Sequence, residues 1–261
     1  MAEYKDGKLQ LKNVTLVAMT SVNIQATIKA LKYSMKDIDF GAVKLITHRR
    51  PWFMTRKIKF SKTTKLTNID DFNYKMFYEL GSHIDTEFAL IVHADGFIVH
   101  PEKWQDEFLD YDYIGSPWPI PKEDDLISYR DKDNNLCRVG NSAGIRSKKL
   151  MDYPLEANIP WEGVLQDGIV WYNEDVLICC KYRYLFEEAG MSIAPLEVAK
   201  YYSHENMVPE VEGITPFAFH KWYGTNKDYP NFQETKLICK LEHFHFRALR
   251  KLKRIFKKKQ N

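Results

Sequence analysis

The residue that most clearly suggests chemistry is Asp95, within the segment His93-Ala-Asp-Gly96. Residues 88–92 before it are all apolar and predict a buried strand, because a short apolar run suits a sheet covered on both faces. Asp95 would then follow the carboxyl end of that strand, where open α/β sheets bind ligands. A carboxylate there suits a hard divalent cation, and Gly96 would let a ligand approach the backbone. The alternative interpretation is an ordinary Asp-Gly turn.

Three later segments add groups that could act together with Asp95. Residues 140–144, Gly-Asn-Ser-Ala-Gly, lack bulk and would let a sugar or phosphate lie against the backbone. Glu174 and Asp175 stand at a predicted helix start, where one could serve as a general base or both could simply favour the helix terminus. His220 ends a short apolar strand and is either a metal ligand or a packed histidine.

Polar residues also follow the first two predicted strands. Thr20 and Ser21 come after the first strand, and Thr47 and Arg49 lie at the end of the second. Arg49 could meet a phosphate, and ordinary loop polarity is the alternative for all four. Three tryptophans could stack on sugar rings or pack in the core. They are Trp118, Trp161 and Trp171.

The elements that must position these groups alternate between strand and helix. We predict strands at 14–19, 43–47 and 88–92, with helices at 24–35 and 74–84 between them. This order favours βαβ units and a mostly parallel sheet. The glycine-rich fingerprints of dinucleotide-binding and P-loop proteins do not occur in the sequence.

The second half is predicted to be more irregular. We expect short strands at 112–118, 193–195, 199–203 and 215–220, and helices at 147–153 and 174–189. Without a repeat or a clear linker, residues 1–230 are predicted to form one domain. Residues of about 13–100 are interpreted as its nucleotide-binding half, and a resemblance described below implies that 101–230 form an acceptor and catalytic half.

Charge separates the body of the chain from its end. Residues 240–261 contain nine Lys and Arg against one Glu, a net charge of +8, although the whole chain carries only +3. Residues 231–261 are therefore predicted to form a basic amphipathic helix or tail. It would bind an anionic membrane surface or nucleic acid, and a solvated tail is the alternative.

Composition indicates a protein of the reducing cytoplasm. There is no apolar run of membrane-spanning length, and the N-terminus lacks the apolar core of a signal peptide. The four cysteines form no Cys-x-x-Cys pair, so neither a zinc site nor a disulfide framework is indicated.

The order and spacing of these segments resemble glycosyltransferases of the GT-A fold, over about residues 13–223. The similarity is closest to a small, poorly characterised group that includes microbial polysaccharide enzymes. It implies an α/β fold with a Rossmann-like, mixed and mostly parallel central sheet flanked by helices, followed by the C-terminal basic helix. It also implies that residues 92–96 hold a divalent metal and the donor diphosphate, and that Thr20 and Ser21 lie near the base and ribose.

The resemblance assigns roles to the later segments as well. Asn141 and Ser142 correspond to the family's glycine-rich loop, Asp175 to the base of inverting members, and His220 to a late metal ligand. Glu174 would orient the acceptor or cap the helix. This chain departs from the family's Asp-x-Asp motif, because His93 replaces the first acid. Asp95 would then be the main carboxylate at the metal, and histidine is an acceptable ligand for Mn²⁺.

The implied activity is metal-dependent transfer of a sugar, with Mn²⁺ or Mg²⁺ as the cofactor. The donor would be a nucleotide-diphospho-sugar, most simply a UDP-sugar, and the acceptor a hydroxyl of a glycan or lipid-linked glycan. The enzyme would be cytoplasmic or peripheral at the cytoplasmic face of a membrane. A nucleotidyltransferase acting on sugar phosphates is the enzymatic rival, but it would need a second acid near Asp95. A nucleic-acid-binding protein is the other rival, and the acidic body argues against nucleic acid as a partner.

Overall fold

The computed structural model describes residues 3–52, 54–122, 128–166 and 169–233; the predicted C-terminal helix lies outside these ranges. Twelve strands occur in them: β1 (Tyr4–Lys5), β2 (Lys8–Met19), β3 (Ile38–Thr47), β4 (Lys59–Lys62), β5 (Phe88–Ile91), β6 (Gly96–Ile98), β7 (Tyr113–Pro117), β8 (Val139–Ser147), β9 (Val164–Gln166), β10 (Ile169–Trp171), β11 (Ser203–His204) and β12 (Ala218–His220). The α-helices are α1 (Ile24–Ser34), α2 (Ile69–Tyr78), α3 (Lys148–Glu156), α4 (Glu174–Val176), α5 (Arg183–Glu188) and α6 (Leu196–Tyr202).

The central sheet is mixed and mostly parallel, with the strand order β4-β3-β2-β5-β8-β7 and β1 paired to β2. Strands β4, β3, β2 and β5 run parallel, whereas β8 is antiparallel to both β5 and β7. The chain leaves β2 through α1 towards β3, then returns through α2 to β5 on the other side of β2. The strand order therefore reverses between β2 and β5, and their carboxyl ends form a crevice in which such sheets bind ligands.

Alternating side chains of β2 explain why this strand lies at the centre. Leu16 and Ala18 are buried in a cluster that includes residues of α1, and Val17 and Met19 are buried on the opposite face in a cluster with Met76 of α2. Successive residues of a strand point to opposite faces, so both faces of the sheet are covered. Each large apolar side chain buried in this way contributes about 1.5–3 kcal/mol.

A second sheet beside the first brings two distant segments together. It has the order β11-β12-β6, and the antiparallel pairing of β12 with β6 places His220 opposite Gly96. The main-chain N–H of Lys221 donates to the carbonyl of Asp95 at 2.6 Å. This register places the end of β12 beside the residues that follow β5.

The predicted fold class is confirmed: a mostly parallel central sheet is flanked by helices. The predicted strands at 14–19, 43–47, 88–92 and 112–118 correspond to β2, β3, β5 and β7. The helix predicted at 174–189 is interrupted, because Leu177–Lys181 adopts π-helical geometry between α4 and α5. No helix among the described residues is long and apolar enough to cross a membrane.

Three local predictions are wrong. The strand expected at 193–195 is reduced to a single bridge between Ile193 and Tyr113. Residues 199–203 were expected to form a strand, but most belong to α6, which buries Val198, Ala199 and Tyr202 at helical spacing. The helix predicted to begin at residue 74 begins at Ile69, because the Asn68 side chain accepts a hydrogen bond from the Asp71 N–H at 2.8 Å and caps it. Asp70 and Asp71 in the first turn interrupt the apolar pattern, so the pattern does not reveal this start.

Candidate active site

A cleft of about 550 Å³ opens at the carboxyl ends of β2 and β5, where the strand order reverses. Nine of the predicted site residues line it. They are Thr20, Ser21, His93, Asp95, Asn141, Ser142, Glu174, Asp175 and His220. Residues separated by as many as 200 positions in sequence therefore meet in one cavity.

One side of the cleft, which we call the strand wall, consists of Asp95, Glu205, His220 and Lys221. His220 Nε2 lies 3.7 Å from Asp95 Oδ1, and His220 Nδ1 lies 3.1 Å from Glu205 Oε1. The ammonium of Lys221 donates to the same Glu205 oxygen at 2.6 Å. Burial alone would raise the pKa of Glu205, but its hydrogen bonds and the charges of His220 and Lys221 outweigh burial and lower the pKa to about 2.

The opposite side, the helix wall, consists of Ser142, Glu174 and Asp175, with the buried Arg146 behind them. Arg146 and Glu174 are each 1% exposed, and Arg146 Nη2 donates to Glu174 Oε1 at 2.9 Å. Ser142 Oγ donates to the same oxygen at 2.5 Å. Glu174 is therefore held in an ion pair with β8 and is the structural member of the acidic pair.

No cation among the described residues pairs with Asp175 in this way. Its Oδ2 accepts the main-chain N–H of Asn141 at 3.2 Å, and its Oδ1 accepts the N–H of Val176 at 2.9 Å. Burial and the negative charges of Glu174 and Glu205 raise the pKa of Asp175 to about 7. A carboxyl group that ionises near neutral pH can take a proton from a substrate hydroxyl.

Asn141 joins the two walls. Its main-chain N–H meets Asp175, and its side-chain amide donates to Glu205 Oε2 at 2.7 Å and lies 3.0 Å from His220 Nδ1. The residue has a φ of 100°, which is unusual for anything but glycine. The Tyr113 hydroxyl donates to the Asn141 carbonyl at 2.6 Å and helps to fix this backbone. Strained residues of this kind cluster at functional sites.

The strand wall has features of a metal centre. With Nδ1 protonated and donating to Glu205, His220 presents an unprotonated Nε2 towards Asp95, an arrangement common among metal-binding histidines. His93 contributes an enclosed Nε2 without a hydrogen-bond partner, and burial and the charge of His220 lower its pKa to about 4. Within the described ranges, however, no group of three or more His, Cys, Asp or Glu side chains could hold a metal ion. The residues fit a metal whose coordination a substrate completes.

A family model with the description "Protein of unknown function (DUF5672)" matches residues 55–220, more than half of the chain. The chain belongs to this family. The DUF5672 match includes Asp95, Asn141, Asp175 and His220, and so members of both walls. Thr20 and Ser21 precede it. Comparison with curated proteins finds no match.

Among solved structures, this DUF5672 protein is similar to the galactosyltransferase LgtC in complex with donor and acceptor sugar analogues. The two chains are 12% identical with a TM-score of 0.45, and the alignment covers 83% of this chain and 92% of LgtC. The glycosyltransferase GlyE of Streptococcus pneumoniae TIGR4, in its apo form, is 10% identical with a TM-score of 0.41. That alignment covers 85% of this chain and 57% of GlyE.

The glycines of the DUF5672 site lie close to other protein segments. Residues 140–144 lie within β8 and do not form a loop. A Cβ on Gly140 would lie 1.8 Å from the Trp118 ring, and one on Gly144 would lie 2.3 Å from the Ile114 carbonyl oxygen. A Cβ on Gly96 would lie 2.6 Å from the His220 ring. The absence of side chains thus accommodates protein neighbours at these three positions.

Several predicted contacts lie away from the cleft. Thr47 is fully buried, and neither Thr47 nor Arg49 is among the described residues that line the cleft. Trp118 is 3% exposed and packs on Tyr129. Trp161 and Trp171 are also absent from the lining, and Trp161 packs in an aromatic cluster with residues of α2.

Three important residues of the DUF5672 site were not predicted: Arg146, Glu205 and Lys221. Glu205 follows the short strand β11 as Asp95 follows β5, so the same strand-end argument would have found it had 199–203 been divided correctly between α6 and β11. Arg146 carries no local signal, because its partner Glu174 lies 28 positions away.

Proposed function

We propose that this protein is a glycosyltransferase that moves a sugar from a nucleotide-diphospho-sugar, with a UDP-sugar as the first donor to test. The observation that carries the proposal is the pairing of two kinds of group in one cleft. Asp175 can act as a base near neutral pH, and the Asp95–His220 pair lies among the other cleft-lining residues at strand ends. A nucleotide sugar needs both a group to activate the acceptor and a site for its charged leaving group.

Asp95 and His220 would hold a divalent metal, Mn²⁺ or Mg²⁺, with oxygens of the donor diphosphate as further ligands. Such an ion neutralises negative charge that develops on a departing nucleoside diphosphate. Lys221, with 43% of its side chain exposed and its ammonium on Glu205, is placed to meet the same phosphates.

Asp175 would remove the proton from the acceptor hydroxyl as its oxygen attacks the anomeric carbon in an inverting displacement. The Asn141 N–H fixes one oxygen of Asp175, so the carboxylate is oriented before the acceptor arrives. Glu174 would support this geometry through its ion pair with Arg146 and would not exchange a proton.

The decisive experiment measures binding, hydrolysis and transfer of UDP-sugars with Mn²⁺, with and without a chelator. We expect D175N to retain donor binding and lose roughly 10²–10⁴-fold in transfer, the usual contribution of a general base. D95N should lose the metal-dependent part of hydrolysis. The control is D39N. Asp39 is exposed at the start of β3, at the end of the strand away from the cleft, and pairs with Lys12, so this variant should match the unmodified protein.

Two outcomes would contradict these assignments. If D95N hydrolyses the donor with an unchanged response to Mn²⁺, the metal does not bind at Asp95. If D175N loses donor binding together with transfer, Asp175 supports the structure of the cleft and is not the base.

We further propose that the acceptor is a glycan, in particular a lipid-linked one, and that the basic residues in 240–261 hold the enzyme at an anionic membrane surface. Each Lys or Arg near such a surface contributes about 1 kcal/mol at low ionic strength. Deletion of residues 240–261 should abolish sedimentation with phosphatidylglycerol vesicles and leave hydrolysis of a soluble donor intact. Loss of donor hydrolysis on deletion would contradict a role confined to anchoring.

A further inference from the structure

A second cavity lies at the carboxyl ends of β3 and β4, beside the cleft but outside the site described above. It is an open depression of about 770 Å³. Most of its lining residues have side chains that can donate a hydrogen bond, and the exception is the acid Glu79. The donors are His48, Lys62, Thr63, Thr64, Lys65, Ser82 and His83.

The charge of this cavity is positive. Glu79 is already neutralised, because both of its oxygens accept from Lys75 Nζ at 2.7 Å. Lys62 and Lys65 are exposed, and neither forms an ion pair with another described residue. Two ammonium groups therefore face solvent at the rim without a protein anion to balance them.

The histidines present their outer nitrogens to this cavity as donors. His48 Nδ1 lies 3.0 Å from Ser21 Oγ, and His83 Nδ1 lies 2.7 Å from Ser61 Oγ. Where the serine hydroxyl donates to Nδ1, the ring proton resides on Nε2. Burial lowers the pKa of both histidines, and for His48 the nearby positive charges of Arg49 and Lys65 lower it further.

Thr63 lies in the lining of the cavity, but its hydroxyl is enclosed. The residue is 9% exposed, and its Oγ1 is buried without a hydrogen-bond partner in the described structure. A buried hydroxyl normally has a partner, since leaving one unpaired costs about 1–3 kcal/mol. Because this oxygen is not accessible from the open cavity, the groups that would donate to an anion are the lysines and the histidines.

From this arrangement we propose that the cavity is a binding site for a phosphate group, separate from the diphosphate site of the cleft. Its ligand would be a phosphate mono- or diester, either a free phosphate compound or the headgroup of an anionic lipid. The site adjoins the cleft, because Ser21 Oγ contacts His48 on one side and accepts the Leu66 N–H at 2.9 Å on the other. The proposal does not depend on the activity proposed for the cleft.

The test is a titration of the full chain with inorganic phosphate, followed by NMR of the histidine ring protons. The His48 and His83 signals would be assigned with H48N and H83N. We expect a saturable shift of both signals and an increase in the pKa of both rings, because a bound anion stabilises the imidazolium. The double variant K62Q/K65Q should bind phosphate at least about tenfold more weakly, since two charge-assisted contacts are lost.

The matched control is K59Q, which removes an exposed lysine of β4 that does not line the cavity. It should bind phosphate like the unmodified protein. The signal of His220 reports phosphate in the cleft and separates binding there from binding at His48 and His83. Absence of a saturable shift, or equal affinities of K62Q/K65Q and K59Q, would overturn the proposal.

A parallel titration with dihexanoyl phosphatidylglycerol, kept below its micelle concentration, distinguishes the two ligand sources. The histidine readout is local, so binding of lipid by the basic tail does not interfere. Tighter binding of the short-chain lipid than of inorganic phosphate assigns a lipid headgroup. Equal or weaker binding assigns a soluble phosphate compound.

Discussion

The two walls of the cleft shift the pKa of a carboxyl group in opposite directions. On the strand wall, Glu205 has two cationic or potentially cationic neighbours and an amide donor, and its pKa falls to about 2. On the helix wall, Asp175 has no cation of its own, and its pKa rises to about 7. Burial raises the pKa of both carboxyl groups, but of the two only Glu205 has neighbours that outweigh burial, because Arg146 is already paired with Glu174.

This difference separates the permanent charges of the cleft from the group that can exchange a proton. Glu205 remains ionised at any physiological pH and fixes His220 and Lys221. Asp175 lies where protonation is easily reversed, which suits a base. Asn141 contacts both carboxylates, so a change on one wall can reach the other through a single residue.

The largest expected effect comes from removing the cation behind the helix wall. R146M leaves Glu174 buried beside Ser142 without its ion pair, and should cost about 3–5 kcal/mol of unfolding free energy. Urea unfolding measures this loss. The double variant R146M/E174L should recover most of it, because an apolar pair replaces an ionic one. A loss in the double variant equal to that in R146M would show that packing of the Arg146 side chain, rather than its charge, is what matters.

The next effect, that of D175N, is a gain in stability, and it depends on pH. In the native protein Asp175 holds its proton up to about pH 7, whereas in the unfolded chain it releases the proton near its ordinary pKa of 3.8. The native state therefore binds more protons between these values, and wild-type stability falls as the pH rises through this window.

D175N removes that penalty. It should equal the wild type in stability near pH 4 and exceed it by roughly 2 kcal/mol at pH 8, with the gain accumulating up to about pH 7. Urea unfolding at a series of pH values provides the measurement. D39N is the matched control and should show no gain at pH 8, because its hydrogen bond with Lys12 lowers the pKa of Asp39. Parallel pH profiles for D175N and the wild type would rule out a raised pKa at Asp175.

Sequence reasoning reached the parts of the site that local patterns encode. An apolar run that ends in Asp95, and two acids at a helix start, are visible within ten residues, and each lies on the cleft. The roles of Arg146 and Glu205 depend on contacts over 28 and 64 positions, which a single sequence does not display.

The glycines show a different limit. Small residues indicate that something approaches the backbone closely, but not whether it is a ligand or another strand. At Gly140 it is Trp118, and at Gly96 it is His220. A pattern of small residues therefore indicates a close approach and leaves the identity of the neighbour open.

Loss of the Glu205 charge on the strand wall should lower the stability of the protein moderately. In E205Q, an amide oxygen can still accept from His220 and Lys221, but the amide nitrogen then faces the Asn141 side-chain amide, which is a donor. Asn141 cannot turn its oxygen to that side without losing the Ala143 N–H. We expect a loss of about 1–2 kcal/mol in urea unfolding. E102Q, at an exposed pair with His100, should show little change.

The smallest stability effect is expected for K221Q. Because 43% of the Lys221 side chain is exposed, its ion pair with Glu205 is screened by solvent and should contribute less than about 1 kcal/mol. His220 and Asn141 would still hold Glu205 in place. If Lys221 also binds the diphosphate, K221Q should weaken UDP binding by roughly three- to tenfold while unfolding changes little. A stability loss as large as that of E205Q, with unchanged UDP affinity, would instead make Lys221 a structural partner of Glu205. K227Q, outside the cleft lining, is the control for loss of positive charge.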